Sequence, residues 1–513
     1  MTGLINTARS PLLLLGFGAL LGLVMSAAEP GELNSSSIIA YGSLAAIVLL
    51  AGWIIWKRLG SDRRLGWMAV TAFVLRLAVG ITLGVLLPVI GYDTAPQQAG
   101  YIFFDAFQRD TQAWTLAQSG APLYNAFNSQ FFSDQYGGML ILSAGLYRLF
   151  SPDMHRPWLI LLITASVSAL GVVFLYKTLI NRFGEKTALL ASWIYVLYPE
   201  AILLGASQMR DPILIGLTTM AFYLVEHWRL LRWKSVFWLS LLMALTTLFN
   251  WLIALAVGVV LAVWWWIDYS ADLADRRRRL MGWAFIALLG IAGVTIISRW
   301  LRSSAAWDMT LAVRNSGWIA ALFENLPSSF QGPFIVIYGL LQPVLPAAII
   351  DPSIPVWTII STLLALGWYL IIPVLLYAPI AIWKSPPGVV RRLLISALVS
   401  VALWALISSF RAGGDLWDNP RYRTLFIPWI ALVVSWAWNY ARANRDSWLV
   451  RWYIVIGIFV AIFANWYLYR IFNAGLLIDF WTMIALIVGL SLVVLGWGVV
   501  QEIKARGNPF TKA

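Results

Sequence analysis

The sequence predicts an all-α polytopic membrane protein with about 14 transmembrane helices. Three observations predict it. The 513-residue chain is 61% hydrophobic and 12% charged, with mean hydropathy +0.79, whereas soluble domains average roughly 45–50% apolar and about 25% charged. Its apolar residues fall in runs near the ~20 needed to cross ~30 Å of hydrocarbon. Thirty Trp and nineteen Tyr suit many membrane–water crossings, because both rings favour the interface.

In order, the apolar runs lie at about 10–28, 37–56, 66–92, 157–176, 187–206, 212–228, 235–249, 251–267, 281–298, 355–383, 391–410, 424–441, 449–469 and 477–500. The first run, with Arg9 before it and Ser26-Ala27-Ala28 at its end, also has the form of a signal peptide. An uncleaved helix is expected, and the orientation of the rest is the same either way. With the amino terminus inside, about two-thirds of the 36 Lys and Arg fall in inner segments, among them Lys57, Arg58, Arg63 and Arg64. This is the positive-inside pattern, so the net charge of +13 does not signal nucleic-acid binding. The basic turn at 57–64 makes 66–92 run outward and puts 93–136 on the extracytoplasmic side. The run 139–150 is too short to span and ends in Tyr147 and Arg148, so it reads as an amphipathic helix in the interface. A second outer loop, 299–332, holds Arg302, Asp308, Arg314 and Glu324. It leads into 333–350, where Pro343 and Pro346 argue against a straight span. A third outer loop is 411–423. No soluble domain or convincing repeat is evident.

The chain has no Cys, which removes thiol catalysis, disulfides and Cys-type metal sites. Its two His, His155 and His227, are too few for a His-rich metal site and read as interfacial residues without a motif. Carboxylates, Arg, Tyr, Asn and Gln must carry any chemistry.

Residues 93–136 form the longest polar interruption in the first half, with Asp93, Asp105, Asp110 and Asp134 among aromatics. A loop that only joined helices would be far shorter. A helix over 103–118 would pair Asp105 with Arg109 at i,i+4 and place Asp110, Trp114 and Ala117 on another face. An unpaired carboxylate beside an aromatic suits proton abstraction from a hydroxyl. The blander reading is a solvated helix with a surface ion pair. At Ser207-Gln208-Met209-Arg210-Asp211-Pro212, Pro212 suits a first helical turn, and Asp211 suits either a cap or a site. Asp415, Asp418, Arg421, Tyr422 and Arg423 place two Arg where the positive-inside pattern disfavours them. They invite a phosphate, or are neutralised by the neighbouring Asp. Arg76 lies deep in 66–92, where a charge costs at least ~2.5 kcal/mol and is a functional candidate by default; the alternative is a purely structural role with a buried partner that the sequence does not name.

Taken together these motifs resemble the C-type (GT-C) glycosyltransferases, the superfamily of protein O-mannosyltransferases and lipid A aminoarabinose transferases. The matching pattern is Asp110, Trp114, Ala117, Gly120, Pro122 and Tyr124 in the first outer loop; Leu149-Phe150 closing the interfacial helix; Arg182-Phe183-Gly184; Tyr198-Pro199; Arg210-Asp211-Pro212; and Pro420-Arg421-Tyr422-Arg423 ahead of Pro428. It covers roughly 66–440. The division it implies is 1–65 as two N-terminal accessory helices, 66–441 as a catalytic core with extracytoplasmic loops 93–156, 299–354 and 411–423, and 442–513 as C-terminal helices. The loop has Thr111 where the family often has Glu, which leaves fewer oxygens for a divalent metal.

The resemblance implies an inverting transferase in the cytoplasmic membrane. It would move a sugar from a polyprenyl phosphate to an acceptor hydroxyl of a glycan, lipid or protein on the extracytoplasmic face. It makes Asp110 the general base, with Asp105 and Asp211 shaping the site. It assigns substrate contacts to Trp114, Tyr124, Arg210, Arg421, Tyr422 and Arg423, the arginines holding the lipid phosphate. It assigns no metal ligand and no certain cofactor, implies contact with membrane lipids, and leaves room for a divalent metal and for membership of a membrane complex. The alternative is a non-catalytic lipid-binding or scaffold subunit of the same fold. A transporter fits less well, since Arg76 is the one clear ionisable residue at mid-membrane depth.

Overall fold

Apolar runs closed by polar turns become helices throughout the computed structural model. It describes residues 2–29, 33–315, 317–350, 353–413, 415 and 417–507, without the side chains of 2–10, 297, 299–309, 311–315, 317–318 and 505–507. The side chains of Arg302, Asp308 and Arg314 therefore lie outside the described residues. No strand occurs among the described residues.

Helices α1 (Thr2–Ala28) and α2 (Ser35–Arg58) pack on small residues. A Cβ on Gly22 would lie 2.6 Å from the Gly42 amide nitrogen, and one on Gly18 would lie 2.8 Å from Ala46. Such small-residue seams let helices meet closely in lipid. Asn34 accepts the Ser36 amide at 3.0 Å to open α2, and Asp62 accepts the Arg64 amide at 2.9 Å to open α3 (Arg63–Ile90). The polar segment that follows carries α4 (Ala95–Gln98), α5 (Phe104–Gln118), a 3-10 turn (Leu123–Phe127) and α6 (Gly138–Phe150). Helix α7 (Trp158–Phe183) is buried along most of its length, with α3, α8 (Glu185–Leu197) and α10 (Asp211–Glu226) packed on it.

The expected span 187–206 is broken. Tyr198 is extended (φ −64°, ψ 116°), as a residue before proline should be, and α9 (Pro199–Gly205) leaves α8 at 55°. Pro199 has no amide to offer the Tyr195 carbonyl. Arg76, fully buried, takes its place: it donates to the Tyr195 carbonyl at 3.1 Å, the Val196 carbonyl at 3.5 Å and Ser168 Oγ at 3.0 Å. Gly205 leaves room for it, since a Cβ there would lie 2.5 Å from Arg76 Cδ. Arg76 is thus the internal cap of a broken helix.

After α11 (Trp228–Leu231), helix α12 (Trp233–Ser270) contains one non-helical residue, Asn250 (φ −166°, ψ 104°), whose side chain accepts the Leu252 and Ile253 amides at 3.1 and 3.2 Å. Met243 Cε lies 3.5 Å from where a Cβ on Gly258 would stand, although a straight helix would hold those residues about 22 Å apart. The two arms therefore lie side by side, with the turn where the sequence separates 235–249 from 251–267. At the other ends of these helices, Arg182 bridges Glu226 at 2.5 Å and Asp268 at 2.7 Å, tying α7, α10 and α12.

Helix α13 (Arg276–Asn315) runs 40 residues and is followed by α14 (Gly317–Asn325), so much of the expected loop 299–332 is helical. Beyond it, α15 (Ser328–Leu341) and α16 (Leu345–Ile350) are separated at Gln342 and Pro343, in keeping with the doubtful span there. The chain closes with α17 (Pro355–Lys384), α18 (Val389–Ala412), α19 (Asp418–Thr424), α20 (Ile427–Asn444), α21 (Ser447–Phe472) and α22 (Phe480–Gly507).

Among the described residues, ten helices are long and apolar enough to cross a membrane, or up to twelve if each bent pair, α8–α9 and α19–α20, is one span. The protein is a multi-pass membrane protein. Fourteen spans were expected; the difference is α12, which counts once although it turns at Asn250 between the expected 235–249 and 251–267, and α10, at 16 residues shorter than the expected 212–228. The chain divides into two compact units, 1–299 with 424–428, and 300–423 with 429–513.

Candidate active site

In the first unit, α5 forms over the expected residues and pairs Arg109 with Asp105 at 2.9 Å, as the i,i+4 spacing requires. Arg109, itself buried, also donates to the Ser133 carbonyl at 3.3 Å, so Asp105 holds a strut of the segment in place.

Asp110, on the neighbouring face, departs from the expectation of an unpaired carboxylate. It is 2% exposed. Tyr101 donates its hydroxyl to Oδ2 at 2.5 Å, Tyr147 donates to Oδ1 at 2.5 Å, and His155 Nε2 lies 2.9 Å from Oδ2. A buried carboxylate needs such partners, because desolvation without them costs several kcal/mol, on the order of the effective penalty for one ion. These contacts span 9, 37 and 45 residues of sequence, which is why helical spacing within α5 did not reveal them.

Two arginines build the cradle. Arg148 of α6 donates to the carbonyls of Leu116 at 2.8 Å, Ala117 at 3.3 Å and Ala121, so it caps the carbonyl end of α5 and sets Tyr147 against Asp110. Arg156, with no exposed surface, binds both Asp153 oxygens at 2.7 and 2.9 Å, Ser151 Oγ at 2.6 Å, and Ser36 and Ser37 of α2 at 2.5 and 2.9 Å. The loop that carries His155 is thereby pinned to the start of α2. Arg156 holds the Asp153 carboxyl well below the usual range, chiefly through these hydrogen bonds.

Trp114 shares the Asp110 face, as expected. It stacks on the His155 ring (5.3 Å, 22°) and meets Tyr147 edge-on (5.5 Å, 89°). His155 also meets Tyr147 at 5.1 Å. Burial first, and then the Asp110 charge, push the Tyr101 and Tyr147 phenols well above their ordinary value, so both remain donors at neutral pH. The His155 side chain is 28% exposed and that of Asp110 2%. The imidazole is the cluster's outward-reaching polar group, and the carboxylate stands behind it.

The other expected residues of the first unit take other positions. Tyr124 is 69% exposed on the 3-10 turn. Asp211 is buried at the first position of α10, where a carboxylate suits the helix dipole. Arg210 reaches Asp134 at 3.4 Å and lies over the Tyr136 ring at 4.8 Å. Asp134 accepts the Met139 and Leu140 amides at 2.9 and 3.2 Å and so caps α6.

In the second unit, Arg421, Tyr422 and Arg423 are helical, within α19, and the two arginines take different partners, as a helix demands. Arg421 pairs with Asp418 at 3.0 Å and lies over the Tyr422 ring at 5.0 Å. Arg423, 1% exposed, donates to the Gln342 carbonyl at 2.9 Å and lies 3.4 Å over the Trp368 ring.

Among the described residues no three Asp, Glu or His side chains gather as metal ligands. At Asp110 the neighbours are two phenols and an imidazole, and at Asp105 a guanidinium. Such a donor set does not fit a hard divalent cation, which takes six or more oxygens. Sequence reasoning missed Tyr101, His155 and the clamp of Arg148 and Arg156. The available signal was that one of only two His lies next to an Arg in a polar turn.

No family model matches the chain, and no curated protein matches it.

Proposed function

We infer that the protein is a GT-C-like glycosyltransferase, with up to 14 spans, that uses a polyprenyl-phosphate sugar on the extracytoplasmic face of the cytoplasmic membrane. The observation that carries this reading is the buried Asp110, ringed by Tyr101, Tyr147 and His155 in the longest polar segment between early spans. The other ion pairs seen among the described residues join Asp or Glu to Arg or Lys. A carboxylate given only neutral donors and one imidazole is instead set to manage a proton.

The acceptor hydroxyl oxygen attacks the anomeric carbon as the bond from that carbon to the phosphate oxygen breaks. The electron pair leaves on the polyprenyl phosphate, the hydroxyl proton passes to the Asp110 centre, and configuration inverts. Trp114 supplies an apolar wall on which a sugar face can rest. Arg421, with Tyr422 beside it, would hold the lipid phosphate, while Arg423 fixes α19 through the Gln342 carbonyl. Arg210, Tyr124 and Asp211 would complete acceptor contacts, and Asp105 fixes α5 through Arg109.

A second reading, a non-catalytic lipid-binding or scaffold subunit, draws on one observation: Arg421 and Arg423 already hold Asp418 and the Gln342 carbonyl. One assay separates the two. Membranes containing the protein are given labelled polyprenyl-phosphate mannose, glucose and aminoarabinose, and released polyprenyl phosphate is counted. Asp110→Asn should cut release by about 10²–10⁴-fold, the usual weight of general acid–base catalysis. No release from any donor by wild type rejects the transferase in favour of the binding subunit, and Asn at wild-type rates removes Asp110 from the reaction.

A further inference from the structure

Of the polar groups in the Asp110 cluster, the one that reaches solvent is not the carboxylate. Asp110 is 2% exposed and both its oxygens are occupied, Oδ1 by Tyr147 and Oδ2 by Tyr101 and His155. A general base must come within about 2.6–3.2 Å of the proton it removes, and a carboxylate 2% exposed behind two phenols offers a substrate hydroxyl almost no approach. His155 has the opposite surroundings. Its side chain is 28% exposed, and Nε2 is the nitrogen that faces Asp110. Nδ1 is left as the nitrogen a substrate can approach.

We propose that His155 Nδ1 is the base that takes the acceptor proton and that Asp110 is a positioning residue acting through it. This inference rests on the transferase reading above and assigns the proton within it. Asp110 accepts the Nε2 proton and so selects the tautomer whose Nδ1 lone pair is free. When Nδ1 gains the acceptor proton, the ring becomes a cation 2.9 Å from the carboxylate that stabilises it. Base and orienting acid thus form the pair that generalises the catalytic triad. Atoms balance: the acceptor loses H, the new bond joins its oxygen to the anomeric carbon, the polyprenyl phosphate leaves with the electron pair, and the imidazolium passes its proton to water. Trp114 on one ring face and Tyr147 at the edge hold the imidazole plane. Arg156, next in sequence, fixes the backbone by its bonds to α2 and Asp153. Asp110 from α5 and Tyr147 from α6 face the ring; Tyr101 reaches it through Asp110, Arg156 and Asp153 lie in its own loop, and Tyr41 with Glu29 couples to Asp110 and Arg156 from the α1–α2 side.

The test uses the same donors, full-length protein and counted polyprenyl phosphate. His155→Gln should lower release at least 100-fold and flatten the acid side of the kcat/KM–pH profile. His227→Gln should leave both unchanged. His155→Ala should recover at least tenfold with added imidazole, a rescue that a merely structural role would not give. Because the chain has two His, ¹⁵N-histidine labelling yields two ring systems, and His155→Gln assigns them. Wild type should show His155 protonated at Nε2 and bare at Nδ1, with that preference lost in Asp110→Asn. Release by wild type with His155→Gln above one-tenth of it, or no imidazole rescue, overturns this assignment and leaves the transferase reading standing. A proton on Nδ1 in wild type also overturns it. A wild type that releases nothing refutes the transferase reading, and this inference with it.

Discussion

Replacing Arg76 by Met should destabilise the first unit, and Pro199→Ala should return part of the loss. Arg76 is fully buried and donates to the Tyr195 carbonyl at 3.1 Å and the Val196 carbonyl at 3.5 Å. In an unbroken helix the Tyr195 carbonyl would take the amide of residue 199, which proline lacks. Met fills a similar volume but strands these carbonyls, at ~1–3 kcal/mol for each buried unsatisfied group. Removing a buried charge returns part of its desolvation, so the net loss should be about 2–4 kcal/mol. The Pro199→Ala substitution supplies the missing amide, so Arg76→Met should cost about 1 kcal/mol less in that background, within the ~0.5–3 kcal/mol coupling of residues that share a partner. The four proteins of the cycle can be unfolded by denaturant in one detergent and followed by Trp fluorescence. Effects that add to within about 0.5 kcal/mol would refute the idea that Arg76 stands in for the proline's missing amide.

Two further predictions concern α19 and the His155 loop. Arg421→Ala should weaken binding of polyprenyl phosphate to purified protein by roughly ten- to a hundredfold, as for the loss of one charge-assisted contact, with Lys restoring only part. Arg423→Ala should instead cost stability, about 1.5–3 kcal/mol, because the buried Gln342 carbonyl loses its donor and Trp368 its cation; unchanged affinity in both variants would remove the phosphate from α19. The Asp153 carboxyl is held below its ordinary range by Arg156, so its stabilising effect is fully present above the unfolded value near ~3.9 and is lost as pH falls below it. The stability gap between wild type and Asp153→Asn should be flat from pH ~7 to ~5 and close on further acidification. It should be small, because Asp153 is half exposed, and a gap that widens in acid would contradict the sign.

How much of this was legible depends on the range of the interaction. Signals confined to one segment read well: the apolar runs, the α5 helix with its Asp105–Arg109 pair, and the shared face of Asp110 and Trp114 all follow from spacing within a few turns. The proline breaks at 199 and 343 were partly legible. Pro343 marked its break, whereas Pro199 sat inside an apolar run that composition alone reads as continuous. What could not be read was which distant group meets which. Arg76 looked functional because most of its partners are backbone carbonyls, and a carbonyl freed by a helix break carries no side-chain signature.

The same limit explains the role of Asp110. Sequence could show a carboxylate on an aromatic face, but not that Tyr101, Tyr147 and His155 close around it from three other segments. Once they do, burial decides the chemistry. A carboxylate with little exposure, both oxygens engaged by phenols that stay protonated, is a poor collector of protons from outside. It is a strong acceptor for an imidazole that does reach outside. On the proposed transfer, the two roles that a single exposed Asp would have combined, touching the hydroxyl and holding the charge, are divided between His155 and Asp110. The arginine clamps make that division rigid. Arg148 fixes α5 against α6, and Arg156 fixes the His155 loop against α2, so the imidazole keeps its 2.9 Å contact without relying on substrate to form it.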